Sequence, residues 1–379
     1  MLILLIGAIF ALMITLWIYV NLRAWPMLVP NVQFDEINAN EPLVSILIPA
    51  RNESRNIGRC IESLMNQEYK NMEIICLDDR SDDNTFEIVQ KLATIDPRIK
   101  IIHGRELPAG WIGKPHACHQ LSEVAIGDWL LFTDADTIHA SDSVRRAIAT
   151  AQARHADVLT GFPRIESTHT LGWLVLPLMH FLIALHLPTS RIEGSTKPMF
   201  MAAHGAFMLY QKRAYVAVGG HEAVQHRNAL VEDMTMAKSA KSIGLCVTLV
   251  DITPTVACEM YEYPSQIWNG FAKNIYNGVG RSTLILFGII VLYFTLYLLP
   301  VFLLIVFFIS NQWLEALLAA WMVTFGIVHK AMVDQRFGVK KRWSLYFPLS
   351  IACMIAIALR SWLMGITGRG YEWKGRVYH

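Results

Sequence analysis

The sequence predicts an α/β domain with a mixed, mostly parallel sheet, accompanied by amino-terminal and carboxy-terminal membrane helices. Two patterns and the composition predict it. Between residues 42 and 280, short β-rich runs alternate with segments of helical apolar spacing, the sign of βαβ units. Outside that region lie long apolar runs of a length that crosses about 30 Å of hydrocarbon. The 379 residues are 54% hydrophobic and 17% charged, with a mean hydropathy of +0.35, whereas soluble domains carry about a quarter charged residues.

Residues 1–22 contain no charged side chain, and Arg23 follows them. No basic leader and no small-residue cleavage site is evident, so this segment reads as an uncleaved anchor. In the globular region 42–280, residues 44–48, 73–77, 99–103 and 129–133 read as strands. Ile57, Cys60, Ile61, Leu64 and Met65 recur at helical spacing after the first, and residues 84–93 behave likewise after the second. Residues 171–188 are apolar but short, and contain Pro177 and His180. A single span there would put Asp136 and Asp233 on opposite sides of the bilayer. The segment therefore reads as an interfacial helix, with a buried helix of the globular domain as the alternative. Three further apolar stretches, 284–309, 313–330 and 345–366, read as membrane segments, and 367–379 as a basic, aromatic tail. Lys330, Arg336, Lys340, Lys341 and Arg342 read as a basic loop that stays cytoplasmic, while Asn311 and Gln312 turn on the other side. Pro348 and Arg360 leave 345–366 open as either a span or a re-entrant segment.

A net charge of +2 gives no nucleic-acid footprint. The six cysteines have no CxxC spacing, which excludes a zinc ribbon or disulfide framework and suits reduced thiols in a cytosol-facing domain. His116 and His119 could share a helix face, but no third ligand is in range, so no zinc site is assigned.

The chemistry concentrates in three acidic clusters: Asp78-Asp79-Arg80-Ser81-Asp82-Asp83, Asp134-Ala135-Asp136 and Glu232-Asp233. In open α/β sheets ligands bind beyond the carboxyl ends of strands, where the first two clusters fall. Asp134 and Asp136 repel one another unless a cation offsets them, and hard oxygen ligands suit Mg²⁺ or Mn²⁺. Asp233 opens a helical pattern over 233–243. A first-turn carboxylate favoured by the helix dipole is the plain account of it.

These motifs carry a family resemblance. Val44-Ser45-Ile46-Leu47-Ile48-Pro49-Ala50-Arg51-Asn52-Glu53, then Asp78-Asp79, Asp134-Ala135-Asp136, Gly219-Gly220-His221 and Glu232-Asp233 resemble family 2 glycosyltransferases of the GT-A fold. Gly110-Trp111-Ile112-Gly113-Lys114 and the tail Trp373-Lys374-Gly375-Arg376 are similar to the membrane-bound branch holding bacterial carotenoid (4,4'-diaponeurosporenoate), hopanoid-associated and ceramide glycosyltransferases. The resemblance implies that Asp79 accepts a hydrogen bond from a uracil N–H, while Asp78 shapes the loop or touches ribose. It implies Asp136 as direct metal ligand, with Asp134 on ribose or on metal-bound water. Asp233 would be the general base, with Glu232 the weaker candidate. Lys114 would lie over the diphosphate, or be a surface lysine.

The family's processive members carry a QxxRW motif. Here Gln266 aligns with its glutamine, but Asn269 and Gly270 hold the Arg and Trp positions and Trp268 comes early. That speaks against a processive synthase. Gln266 and Trp268, with Phe271, Lys273 and Asn274, would either line an acceptor tunnel or form a membrane-boundary helix. His204-Gly205 stands where relatives often carry Asn-Gly, and His221 reads as a pocket or turn residue.

The implied function is an integral membrane enzyme of a bacterial cell, its catalytic domain cytoplasmic. It would move a hexose, glucose from UDP-glucose, onto a lipid such as a carotenoid acid, inverting and metal-dependent. Polyprenyl phosphate, a hopanoid or a sphingolipid are alternative acceptors, and a catalytically inert membrane scaffold is the alternative of another class.

Overall fold

In the computed structural model, which describes residues 1–29, 41–229, 231–367, 371–373 and 376–378, the apolar runs of the globular region become strands, most of them buried on both faces. They are Val44–Ala50 (β1), Met72–Asp78 (β2), Ile99–His103 (β3), Trp129–Phe132 (β4), Thr137–His139 (β5), Val158–Phe162 (β6), Arg164–Ile165 (β7), Met208–Gln211 (β8), Val247–Asp251 (β9) and Val256–Cys258 (β10). Seven form one sheet in the order β3-β2-β1-β4-β8-β6-β9. The strands β1 to β4 are mutually parallel, joined by the helices Ile57–Met65, Thr85–Ala93 and Gly113–Val124. Antiparallel pairing of β8 with β4 and β6 makes the sheet mixed. A second, three-stranded sheet, β5-β10-β7, lies beyond the end of β4.

Continuous burial of both faces is what hydrophobic runs without alternation call for. Ile46, Ile48, Ile74, Cys76 and Leu131 form a core with Ile57, Ile61 and Leu64 from the first helix. Glu73, a buried acid inside β2, is matched: Ser45 Oγ donates to it at 2.5 Å, Ile126 N at 2.9 Å and Lys100 Nζ at 2.8 Å. At Gly161 in β6 a Cβ would stand 2.6 Å from both Val250 O and Ile252 Cγ2. Gly161→Ala is therefore expected to destabilise the protein by about 1–3 kcal/mol, as overpacking does, and a lowered unfolding midpoint would show it.

The chain divides into two compact units. One, Trp25–Glu166 with Pro188–Met260, holds both sheets. The other comprises Met1–Ala24, Ser167–Leu187 and Tyr261–His379, and contains, among the described residues, four helices long and apolar enough to cross a membrane: Leu2–Ala24, Thr283–Ile309, Trp313–Arg336 and Lys341–Ile366. Thr283–Ile309 carries a π turn, Phe294–Leu298, just ahead of Pro300. The proline ring nitrogen cannot donate, and a local change of helical register accommodates it.

The third of these helices corrects one expectation. It runs to Arg336, so Lys330 lies inside the helix and not in a basic loop. Lys330 is buried because its ammonium meets Asp334 one turn on, and Ser344 Oγ donates to the other Asp334 oxygen at 2.8 Å. A paired charge can stay within an apolar helix where an unpaired one cannot. The last helix is continuous from Phe347 to Ile366, with Pro348 in its first turn, where a missing N–H costs nothing.

The 171–188 segment forms two short helices, Thr170–Val175 and Leu178–His186, parted at Pro177. It groups with the four long apolar helices and not with the sheets. Asn21 Nδ2 and Trp17 Nε1 donate to Ala184 O and Leu185 O at 3.0 and 2.8 Å, and Phe181 packs edge-on against Phe347. Much of its apolar surface is thus covered by protein. In the tail, Tyr371–Trp373 pairs antiparallel with Arg376–Tyr378, while Lys374 and Gly375 of the expected motif lie outside the described residues.

Candidate active site

Parallel register puts the ends of β2, β1 and β4 along one edge, with Ala50 opposite Asp78 and Leu47 opposite Phe132. The loops leaving β1 and β2 are tied together there. Asp79 N donates to Ala50 O at 2.7 Å, and the Arg51 guanidinium donates to the carbonyls of Asp79 and Arg80, each at 2.7 Å. Asn52 N donates to Ser81 Oγ, Asp82 N to Asn52 Oδ1, Glu53 N to Thr85 Oγ1 and Ser54 N to Asp83 Oδ2, all between 2.8 and 3.0 Å. Asn52 and Arg80 take left-handed φ of 53° and 58° to allow it. Ser81, Asp83 and Thr85 are thereby occupied as loop braces. Asp79 is buried in the rim, and Asp78 accepts from Ser81 N at 3.3 Å.

The Asp134-Ala135-Asp136 turn joins β4 to β5. Thr137 Oγ1 donates to Asp134 O at 2.7 Å, and Glu259 N to Asp136 O at 3.3 Å. The Cys258 thiol points at Asp136 Oδ1 from 3.5 Å, because Cys258 pairs with Thr137 across β10 and β5.

Lys114 is neither a free surface cation nor isolated from the acids. From the first turn of Gly113–Val124 its Nζ lies 2.8 Å from Asp134 Oδ1 and 3.1 Å from Glu232 Oε1. Burial works against its charge, but these two carboxylates prevail and hold its pKa well above the usual lysine value. Gly205 makes the approach possible, since a Cβ there would sit 2.6 Å from Lys114 Nζ.

Asp233 stands beside Glu232 at the start of the helix Glu232–Ser242. Its Oδ2 accepts from Gly205 N and its Oδ1 from Met234 N, both at 2.7 Å. Burial first, and the neighbouring Glu232 charge second, push its pKa up to about 7 against the opposing pull of Lys114 and those two amides. His204 precedes Gly205 in the same loop. Its Nδ1 accepts from Ala206 N at 3.2 Å and its ring meets Phe162 edge-on, while burial pushes its pKa down to about 4 and keeps it neutral.

The fold therefore gathers Asp134, Lys114, Glu232, Asp233 and Gly205, with Asp136 on the same turn and Asp79 along the same sheet edge. Gln266 and Trp268 belong to the other unit. There Gln266 Oε1 accepts from Glu262 N at 2.9 Å and Tyr263 N at 3.1 Å, capping the helix Pro264–Gly278, and Trp268 is half-buried in that helix. Asn269, at the motif's arginine position, accepts from Arg360 at 3.1 Å. His221 is a core residue, bonded to Tyr215 OH at 2.8 Å and packed on Phe132. His116 and His119 each flank Trp111 at 5.2 Å. Sequence reasoning missed the contact of Cys258 with Asp136 and the pairing of Glu232 with Lys114. No spacing signal foretells either, since both arise from pairings more than 100 residues apart.

Residues 45–219 match the family model described as glycosyl transferase family 2. Over those residues the chain is similar to a family 2 glycosyltransferase domain. It is 27% identical over 251 residues to the 4,4'-diaponeurosporenoate glycosyltransferase of Staphylococcus aureus strain USA300, and equally so to that of strain MRSA252. Those matches cover 65% of this chain and 64% of the relatives, so the likeness spans less than two thirds of their length. A solved mannosyltransferase of Pyrobaculum calidifontis, in complex with GDP-Man and Mn²⁺, superposes with a TM-score of 0.57 at 15% identity, over 97% of this chain and 98% of that one. The two share the GT-A type of α/β fold.

Proposed function

We propose that the protein is a membrane glycosyltransferase that transfers a hexose from a nucleotide sugar, UDP-glucose, to a lipid acceptor. The observation that carries this reading is the half-buried Asp233, its pKa raised towards neutrality, held in one charged cluster with the Asp134–Asp136 turn. A carboxylate with a pKa near the working pH is suited to general-base catalysis.

The donor would lie along the edge formed by the ends of β2, β1 and β4. Asp79 would accept from the base, held in place by the Arg51 brace behind it. Among the described residues no group of three His, Cys, Asp or Glu side chains could hold a metal ion. That fits Mg²⁺ or Mn²⁺ bound through one or two carboxylates and the substrate's own phosphates. Asp136 and Asp134 are the residues that would hold it, and bound there it would offset charge on the departing diphosphate. Asp233 would orient the acceptor and take its proton, giving inversion in a single displacement. Lys114 would serve the diphosphate from the opposite side of Asp134.

For the acceptor, the name of the Staphylococcus relatives supports a carotenoid acid, and four apolar helices suit a substrate whose chain stays in lipid. Purified protein offered UDP-glucose with a carotenoid acid, a hopanoid alcohol, ceramide and polyprenyl phosphate in turn is expected to glycosylate the carotenoid acid. Exclusive turnover of polyprenyl phosphate would reject that acceptor and leave the donor site standing.

The unit holding the sheets is proposed to face the cytosol, where nucleotide sugars are found. The amino terminus would then lie outside. Four spans would put the carboxy terminus outside too, with Lys340, Lys341 and Arg342 inside, as the positive-inside rule favours. In intact cells a membrane-impermeant maleimide should label Leu2→Cys and a cysteine appended after His379, and should reach Lys238→Cys only after lysis. Labelling of Lys238→Cys in intact cells would overturn the orientation.

A further inference from the structure

We propose that Lys114 is an internal counter-cation of the metal-binding turn, bound to Asp134 while the donor is absent and displaced from it by the donor's diphosphate. The inference rests on the metal reading above and adds an order of binding to it. The metal should bind weakly to the protein alone and strongly once a nucleoside diphosphate is present.

The geometry carries the argument. Lys114 Nζ is 2.8 Å from Asp134 Oδ1 and 3.1 Å from Glu232 Oε1, so one ammonium bridges a proposed metal ligand and an acid from another helix. Its stem leaves the first turn of Gly113–Val124, where Ile112 N is fixed to Arg227 O at 2.8 Å. Gly205 keeps the path clear, and its own N–H is spent on Asp233. Lys114 is thus a cation shared by two of these acids, one from the β4–β5 turn and one from the helix Glu232–Ser242.

A divalent cation approaching Asp134 meets a lysine charge already within hydrogen-bonding distance of that carboxylate. A neighbouring opposite charge lowers a carboxylate's proton affinity by roughly 10- to 1,000-fold, and it opposes a second cation in the same way. A nucleoside diphosphate changes the balance, because it supplies new oxygens for both cations. Lysine suits this exchange, being a compact charge on a flexible stem that is not locked into one planar geometry. Glu232 is the alternative anchor that keeps the released ammonium at the site.

The test is Mn²⁺ binding to the full-length protein in detergent, followed by electron paramagnetic resonance, with Mn²⁺ alone, with UDP and, separately, with GDP. Wild type is expected to bind Mn²⁺ at least about tenfold more tightly with nucleotide than without. Lys114→Gln should bind Mn²⁺ alone about tenfold more tightly than wild type and lose most of the nucleotide effect. Lys114→Arg should retain the wild-type pattern. Glu232→Gln carries the opposite sign, since Lys114 then has only Asp134 to pair with and Mn²⁺ alone should bind more weakly still. Equal Mn²⁺ affinity of wild type, Lys114→Gln and Glu232→Gln, with or without nucleotide, would overturn the exchange while leaving a metal site in place. Absence of Mn²⁺ binding in every protein under every condition would overturn the metal reading itself.

Discussion

Asp136→Asn is expected to lower donor turnover by at least about a thousandfold, since a metal's electrostatic support of a leaving group contributes several kcal/mol and each 1.4 kcal/mol is tenfold in rate. The substitution preserves volume and removes the charge. The turn itself should survive, because it is held by Thr137 on Asp134 O, by Glu259 N on Asp136 O, and by the pairing of β5 with β10. Cys258 is one neighbour that the change reaches, as its thiol points at Asp136 Oδ1. UDP release from UDP-glucose is the measurement. Chelation with EDTA should stop it in wild type, with Mn²⁺ or Mg²⁺ restoring it, and no metal should rescue Asp136→Asn. Full activity after exhaustive chelation would remove the metal from the mechanism. A cell in which Asp136→Asn supports undiminished function would point to the inert scaffold.

Much of this site was legible because it depends on where strands end. Residues 73–77 and 129–133 are apolar enough to be read as strands, and Asp79 and Asp134 come within two residues of their ends, so their placement on the sheet edge followed from topology alone. The relation of Lys114 to Asp134 and Glu232 was not legible. It needs Gly113–Val124, the β4–β5 turn and Glu232–Ser242 to converge, and no local pattern encodes that convergence. The same limit explains Lys330. Hydropathy counts it as a loop charge, and only the buried partner Asp334, one turn away, shows it to be helical. The mixed character of the sheet was expected, but the position of β8 between β4 and β6 was not, since antiparallel insertion is decided by packing across the sheet.

Asp233→Asn separates the two kinds of acceptor. With a hydroxyl acceptor, a proton must leave during attack, and losing the base should lower kcat by about 10²- to 10⁴-fold. With a carboxylic acid acceptor, whose ordinary pKa near 4.3 leaves it ionised at neutral pH, the loss should be far smaller, because Asn can still orient. The pH profile offers an independent reading. The base works only when ionised, and burial with the adjacent Glu232 places its pKa at about 7. For a hydroxyl acceptor, kcat/KM of wild type should fall about tenfold per pH unit below that value, and the limb should vanish in Asp233→Asn. Stability should move the other way. A carboxyl group whose folded pKa is raised from 3.8 to about 7 contributes stability below pH 3.8 that is lost as the pH rises through 7. Unfolding midpoints of wild type should therefore drop across that window more than those of Asp233→Asn. An identical pH dependence of stability in the two proteins would show that Asp233 is not held protonated, and a hydroxyl acceptor turned over undiminished by Asp233→Asn would remove it as the base.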